Sequence, residues 1–205
     1  MGIAERKERQ KAELRDQILA AARQIVLAGG YAALTMRKIA DAIEYSPGTI
    51  YLYFKSREEI ALELCRAGFA LLLGALAPAA AIADPVERLR EIARCYTAFA
   101  MREPETYRLI FMDDPAFMRE VFGDGEAGGD DPGADSYAFL EQTVAQCIAS
   151  GAFRPVDTRR AAQILWAGVH GVASLKISCD EMMDGDAIEI VDTMTDALLT
   201  GFLRR

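Results

Sequence analysis

The stretch from Thr35 to Ile60, TMRKIADAIEYSPGTIYLYFKSREEI, leaves this chain few folds to choose from. Met36, Ile39, Ala40 and Ile43 fall at i, i+3, i+4 and i+7, one apolar stripe on a short helix with Thr35 as its N-cap. Ser46 and Pro47 restart the chain with a capping hydroxyl and a proline at the first helical position, where no backbone N–H is needed. Lys55-Ser56 limits this second helix to about two turns. Its inner face carries Ile50 and Phe54, and its outer face Thr49, Tyr51 and Tyr53. Ser56 and Glu59 have capping-box spacing ahead of the apolar Ile60 and Leu64. A tight helix pair whose second member exposes small, hydroxylated and aromatic groups has the form that a DNA major groove accepts.

The same residues resemble the helix-turn-helix of the tetracycline-repressor (TetR) family. That signature runs approximately T-hydrophobic-R-x-I-A, then S-x-G-T-hydrophobic-Y-x-Y-F-K-S-[KR]-E-E-hydrophobic. Thr35, Arg37, Ile39, Ala40, Ser46, Gly48, Thr49, Ile50, Tyr51, Tyr53, Phe54, Lys55, Ser56 and Arg57 match it in register. The resemblance implies an all-α protein with an N-terminal DNA-binding unit and a helical C-terminal domain for effector binding and dimerisation. It implies DNA contacts by Ser46, Gly48, Thr49, Tyr51 and Tyr53. It casts Thr35, Arg37, Lys55 and Arg57 as phosphate anchors, which position the protein without reading sequence. The domain division expected is 1–57 and 58–205.

The formal net charge of −8 argues against a nucleic-acid partner only as an average. Residues 1–57 carry ten Lys/Arg against six Asp/Glu, a net +4, which leaves −12 on the remainder. A basic first quarter on an acidic body is expected when one end of a molecule meets phosphates. Cys65, Cys95, Cys147 and Cys179 have neither C-x-x-C spacing nor paired histidines, which is unlike a zinc site, and free thiols in a reducing compartment are expected. Charges occupy the N-terminus where a signal peptide is apolar. The longest apolar run, 69–83, is interrupted by Pro78 and too short to span a bilayer. A cytoplasmic protein is expected, with no membrane partner, cofactor or metal. No nucleophile, metalloprotease or phosphate-loop motif suggests an enzyme.

Along the chain the apolar spacing stays helical, and no strand pattern intrudes. Residues 1–10 read as a mobile arm or frayed helical extension, followed by a helix over 11–28 that Gly29-Gly30 ends. A helix from Ser56 is expected to stop at Pro78. Pro85 and Pro104 open two more, and 116–122 gives a short apolar piece. Residues 123–134 read as an acidic loop without the spacing of a calcium-binding EF-hand. Helices follow over 135–150, from a Thr158 cap to about Cys179, and from Asp186 through Phe202.

Trp166, His170 and Gly171 are spaced like the W…H-G signature of one branch of TetR-type C-terminal domains. The small Ala167, Gly168, Gly171 and Ala173 leave room for a partner helix. The resemblance implies a homodimer through the last two long helices, a palindromic double-stranded operator and a small apolar or amphipathic effector that releases a repressor. Tyr96, Phe99, Tyr107, Phe111, Phe117, Phe122 and Tyr137, with Trp166 and His170, are the candidate effector-pocket residues. Two rival readings remain: a DNA-binding regulator with no small-molecule effector, and a helical interaction module that has lost DNA binding.

Overall fold

The computed structural model describes residues 2–112 and 131–203. Among them are nine α-helices and no strand: α1 (Ile3–Gly29), α2 (Met36–Ala42), α3 (Pro47–Tyr51), α4 (Arg57–Ala80), α5 (Pro85–Arg102), α6 (Pro104–Phe111), α7 (Pro132–Ala149), α8 (Thr158–Ser178) and α9 (Ala187–Phe202). The helices are local consequences of the sequence. Thr35 accepts from Lys38 N at 3.1 Å, Ser46 from Thr49 N at 3.2 Å and Asp84 from Val86 N at 2.8 Å. Each bond satisfies one of the donors that a helix start leaves open.

The chain's internal packing divides it into two compact units. One boundary between these packing units falls after Gly68, inside α4, and a second crossing lies between Tyr107 and Arg108, inside α6. In the first unit, Ile18, Ala22 and Val26 of α1 pack with Ile39 of α2, Ile50 and Phe54 around α3, and Ile60 and Leu64 of α4; Leu109 joins the same core. Each large side chain buried there contributes about 1.5–3 kcal/mol of transfer free energy. That is ample to hold α3, whose five residues would not be helical alone.

In the second unit α5 buries Leu89, Ile92, Ala93, Tyr96 and Phe99 on one face. Its other face is tied to α9 by Arg90–Asp196 at 2.8 Å and Arg94–Asp192 at 2.7 Å. These pairs are solvent-accessible and worth at most about 1 kcal/mol each, so apolar packing holds the unit and the ions set register. Between α8 and α9 the backbones come close at Gly168, where an added Cβ would lie 2.7 Å from Met194 Sδ and 2.9 Å from Leu198 Cδ1. The small residue at Gly168 therefore serves packing within the chain, as does the fully buried Ala173. Gly171 has nothing within 4 Å of such a Cβ and remains open to an approaching partner.

Several boundaries differ from those read in the sequence. Of the two readings of the N-terminal segment, the helical extension holds: residues 3–10 are helical and continuous with α1. Pro78 lies inside α4, which runs on to Ala80. So near the end the proline forfeits one hydrogen bond, and turns closed by Ala81 N to Pro78 O and Ile82 N to Ala79 O finish the helix. Asp157, not Thr158, caps α8, accepting from Arg160 N at 2.7 Å. α7 begins at Pro132 with Asp131 as cap, inside the span read as loop; the rest of that span, the turn at 113–115 and the apolar piece at 116–122 lie outside the described residues. α4 is long and apolar enough by composition to cross a membrane, with mean hydropathy 1.8. Yet Ile60, Ala61, Leu64, Cys65, Leu72, Leu76 and Ala79 along it are buried in protein.

Candidate nucleic-acid interface and effector cavity

α3 owes its orientation to two anchors, Ile50 at 0% exposure and Phe54 at 2%. With these fixed, the opposite side of the turn and helix faces outward. Ser46 and Gly48 are exposed, and Tyr51 is 55% exposed. Thr49 is half-buried, and its Oγ1 lies 3.0 Å from Ser46 Oγ. The Ser46 hydroxyl thus serves first as the cap of the recognition helix. A Cβ at Gly48 would meet only Ser46 Oγ, at 3.6 Å, so the backbone there is open to a close approach.

The phosphate-anchor candidates divide into two groups. Thr35 and Lys55 are exposed, and the Arg37 side chain is 86% exposed, with Asp41 4.0 Å away. Arg57 is held within its own unit. Its guanidinium lies 4.7 Å from the centroid of the Tyr31 ring, and its Nε donates to Glu58 Oε1 at 2.8 Å. Burial alone would raise the Glu58 pKa; hydrogen bonds from Ser56 and Arg57 outweigh it and hold the carboxyl down at about 2. Tyr53 lies two residues beyond the end of α3, where it is half-buried and packs against the core and not on the outer face of the helix.

Sequence reasoning passed over Leu52. At 79% exposure it is far more open than a large apolar residue beside a folded core usually is, and it directly follows α3. An exposed leucine there can meet a thymine methyl. Its place in the signature, a variable x, carried no signal.

The second unit has a partly open cavity of about 30 Å³, lined by Leu89, Ile92, Ala93 and Tyr96 of α5, Leu140 of α7, Leu165, Trp166 and Val169 of α8, and Thr195 of α9. Of the candidate pocket residues, Tyr96 and Trp166 line it. Behind Tyr96 its hydroxyl donates to Tyr107 Oη at 3.3 Å, and Tyr107 Oη lies 2.6 Å from His170 Nδ1. The simplest proton arrangement makes Nδ1 the acceptor, with the imidazole proton on Nε2. Burial lowers the His170 pKa and so favours this neutral form. Burial, and then Tyr107, push the Tyr96 phenol upward.

Tyr137 meets Trp166 edge-on at 6.1 Å, whereas Phe99 is buried without lining the cavity. Phe111 belongs to the first compact unit, and Phe117 and Phe122 lie outside the described residues. Thr195 was not anticipated: its Oγ1 is buried with no hydrogen-bond partner, in a residue 2% exposed. Burial pushes the Cys95 and Cys147 thiols up to about 11, with Glu91 adding to the shift at Cys95 and Asp84 at Cys147, so both remain protonated at neutral pH. Among the described residues no cluster of three or more His, Cys, Asp or Glu could hold a metal.

A core-anchored short helix that exposes Gly48 and Tyr51, followed by the exposed Leu52, in a chain whose second unit is also all-helical, defines a helix-turn-helix DNA-binding regulator. The chain belongs to the TetR family: "Bacterial regulatory proteins, tetR family" matches residues 18–64, and "Tetracyclin repressor-like, C-terminal domain" matches residues 89–198, more than half the chain. It is 41% identical over 61 residues to the HTH-type transcriptional regulator TcmR of Streptomyces glaucescens, covering 30% of this chain and 26% of that one. It is 31% identical over 103 residues to the HTH-type transcriptional activator FasR of Mycolicibacterium smegmatis, covering 50% and 47%. The chain thus spans between a quarter and a half of the curated relatives it matches. Among solved structures, the fatty acid degradation regulator FadR of Bacillus halodurans shares the fold, with TM-score 0.72, 20% identity, and 90% and 94% of the two chains covered.

Proposed function

We propose that this TetR-family regulator is a homodimeric repressor, released from a palindromic operator when an apolar or amphipathic small molecule enters the cavity of the second unit. The observation that carries the effector half is the cavity itself, apolar on almost every side and holding a buried hydroxyl with no partner. Sites for small molecules have a lining of this composition, mostly apolar with a few placed polar groups. The fatty-acid relationship printed for the Bacillus halodurans protein favours an apolar effector here as well.

On the DNA side, Ser46, Gly48, Thr49 and Tyr51 approach the duplex, while Thr35, Arg37 and Lys55 hold phosphates. Tyr53 and Arg57 act chiefly by positioning, since one packs on the core and the other stacks on Tyr31. Two-fold symmetry follows from the need to place two recognition helices about one DNA turn apart. The exposed Ala167 and half-buried Gly171 of α8, with the exposed Ala197 and Gly201 of α9, suit the close approach of the same helices from a second copy.

Switching is a matter of linkage. A ligand that prefers the form with misplaced recognition helices weakens DNA binding by its preference ratio, and DNA weakens ligand binding equally. α6 is a short route for such coupling: Tyr107 bonds within the second unit, and Leu109, two residues on, packs in the core of the first. The decisive experiment is selection of bound duplexes from sheared genomic DNA by the purified protein at about physiological salt. A shared palindrome is expected, and a reporter fused to it should be derepressed when the regulator gene is deleted. Recovery of random sequence would overturn the operator assignment. Reporter loss on deletion would instead make the protein an activator, as FasR is named.

A further inference from the structure

The cavity wall is uneven in chemistry, and the unevenness narrows what it can hold. Leu89, Ile92, Ala93, Leu140, Leu165 and Val169 supply hydrocarbon, and Tyr96 and Trp166 supply ring surface. None of the lining residues is a lysine, arginine, histidine, aspartate or glutamate. A charged ligand group placed there would lose its hydration and meet no counter-charge, a cost of several kcal/mol by general solvation arguments. Three of the four arginines of α5 are already directed elsewhere, Arg88 to Ile82 O, Arg90 to Asp196 and Glu87, and Arg94 to Asp192.

The Thr195 hydroxyl is the exception to the apolar wall. In a helix a threonine ordinarily donates to the carbonyl one turn earlier, as Thr193 does to Glu189 O at 2.9 Å and Thr200 to Asp196 O at 2.8 Å on this same helix. Thr195 has no such bond, although it lies on the buried face of α9 between them. A buried hydroxyl without a partner is costly, and such groups in folded proteins call for a reason.

We infer that the cavity selects a neutral, largely apolar molecule carrying one hydroxyl or carbonyl oxygen, and that the Thr195 hydroxyl reads that oxygen. The inference rests on the effector-binding reading above and adds the ligand's chemical class and the residue that recognises it. Threonine suits both functions, since its oxygen donates to a ketone and either donates to or accepts from an alcohol. The cavity is only about the size of one water, so entry of a larger molecule requires the wall to move. Trp166, 38% exposed and lining the cavity, is the side chain placed to do so.

Trp166 is the chain's one tryptophan, so intrinsic fluorescence of the full-length protein reports on this cavity. The probes are 1-octanol, 2-octanone and octanoate at pH 7.5, titrated against tryptophan emission. The alcohol and ketone should give saturable changes, with octanoate at least tenfold weaker. Thr195→Val, which removes the hydroxyl and keeps the shape, should weaken octanol about three- to tenfold, the usual worth of one such hydrogen bond. Thr195→Ser should restore most of the affinity, and Thr195→Ala removes the hydroxyl a second way if the valine variant does not fold. Octanoate binding as tightly as octanol, a valine variant indistinguishable from wild type, a serine variant without recovery, or no saturable response to any probe would each overturn the inference. Operator binding, measured on the same preparation without probes, is independent of these results. Its persistence beside a silent cavity would leave the DNA-binding regulator intact and remove only the ligand assignment.

Discussion

At the scale of single residues the DNA-binding unit shows a compromise in the turn between α2 and α3. Glu44 adopts φ 59°, a left-handed conformation that non-glycine residues enter at a cost of about 1–2 kcal/mol. Glu44→Asn keeps a polar side chain in a residue that tolerates this region. It should raise stability by up to about 1 kcal/mol in thermal or denaturant unfolding, and removing a negative charge beside the recognition helix should tighten DNA binding as well. Glu58 gives a second prediction. Its folded pKa of about 2 lies below the ordinary 4.5, so its stabilising contribution is complete above pH 4.5 and is lost as pH falls toward 2. The stability gap between wild type and Glu58→Gln should therefore narrow across that window, and a gap independent of pH would contradict the hydrogen-bonded assignment. Neither feature was legible in the sequence. The signature identifies Arg57 as basic and Glu58 as acidic, but which of them turns inward depends on where Tyr31 lies.

At the scale of elements the helices were the most readable part of the molecule, because caps and stripes are local. The pairs Ser46-Pro47 and Asp84-Pro85 marked starts that the structure reproduces. Asp131-Pro132 is the same signal and starts α7, yet the surrounding glycines and aspartates made the segment read as loop. α3 was found, but at five residues it is too short for a face to be assigned reliably by periodicity, which is how Tyr53 came to be placed outside and Leu52 passed over. Two residues after α3, Lys55 and Leu52, separate positioning from reading. Lys55→Ala should weaken binding to all sequences nearly alike and reduce the salt slope by about one per subunit. Leu52→Ala should leave the slope unchanged and reduce discrimination at one thymine per half-site by about 1 kcal/mol. Binding curves at several salt concentrations, on operator and mutated operator, distinguish the two.

For the whole molecule the fold class and the family were legible from one quarter of the chain, but the interior of the second unit was not. Aromatic residues were taken as the pocket; the cavity is lined mainly by aliphatic residues from α5 and α8, with one leucine from α7 and one threonine from α9. Which apolar faces share a space is a tertiary fact, and a threonine at helical spacing signals nothing by itself. The proposed dimer makes a prediction at this scale. Ala197→Glu places a carboxylate on the exposed face of α9, where it should be tolerated by the monomer and repelled by its symmetry mate. Sedimentation should then report a monomer with an unchanged helical spectrum, and operator affinity should fall at least tenfold. A stable dimer would move the interface elsewhere.

The orphaned hydroxyl of Thr195 has a consequence for how such a protein evolves. Valine at that position would relieve a desolvation penalty of about 1–3 kcal/mol, so Thr195→Val should melt at a higher temperature than the natural chain when no ligand is present. Selection for thermal endurance alone would therefore erase the ability to sense. On the proposed role of Thr195, keeping threonine at this position would be a standing trade of robustness for responsiveness, lodged in a single oxygen atom.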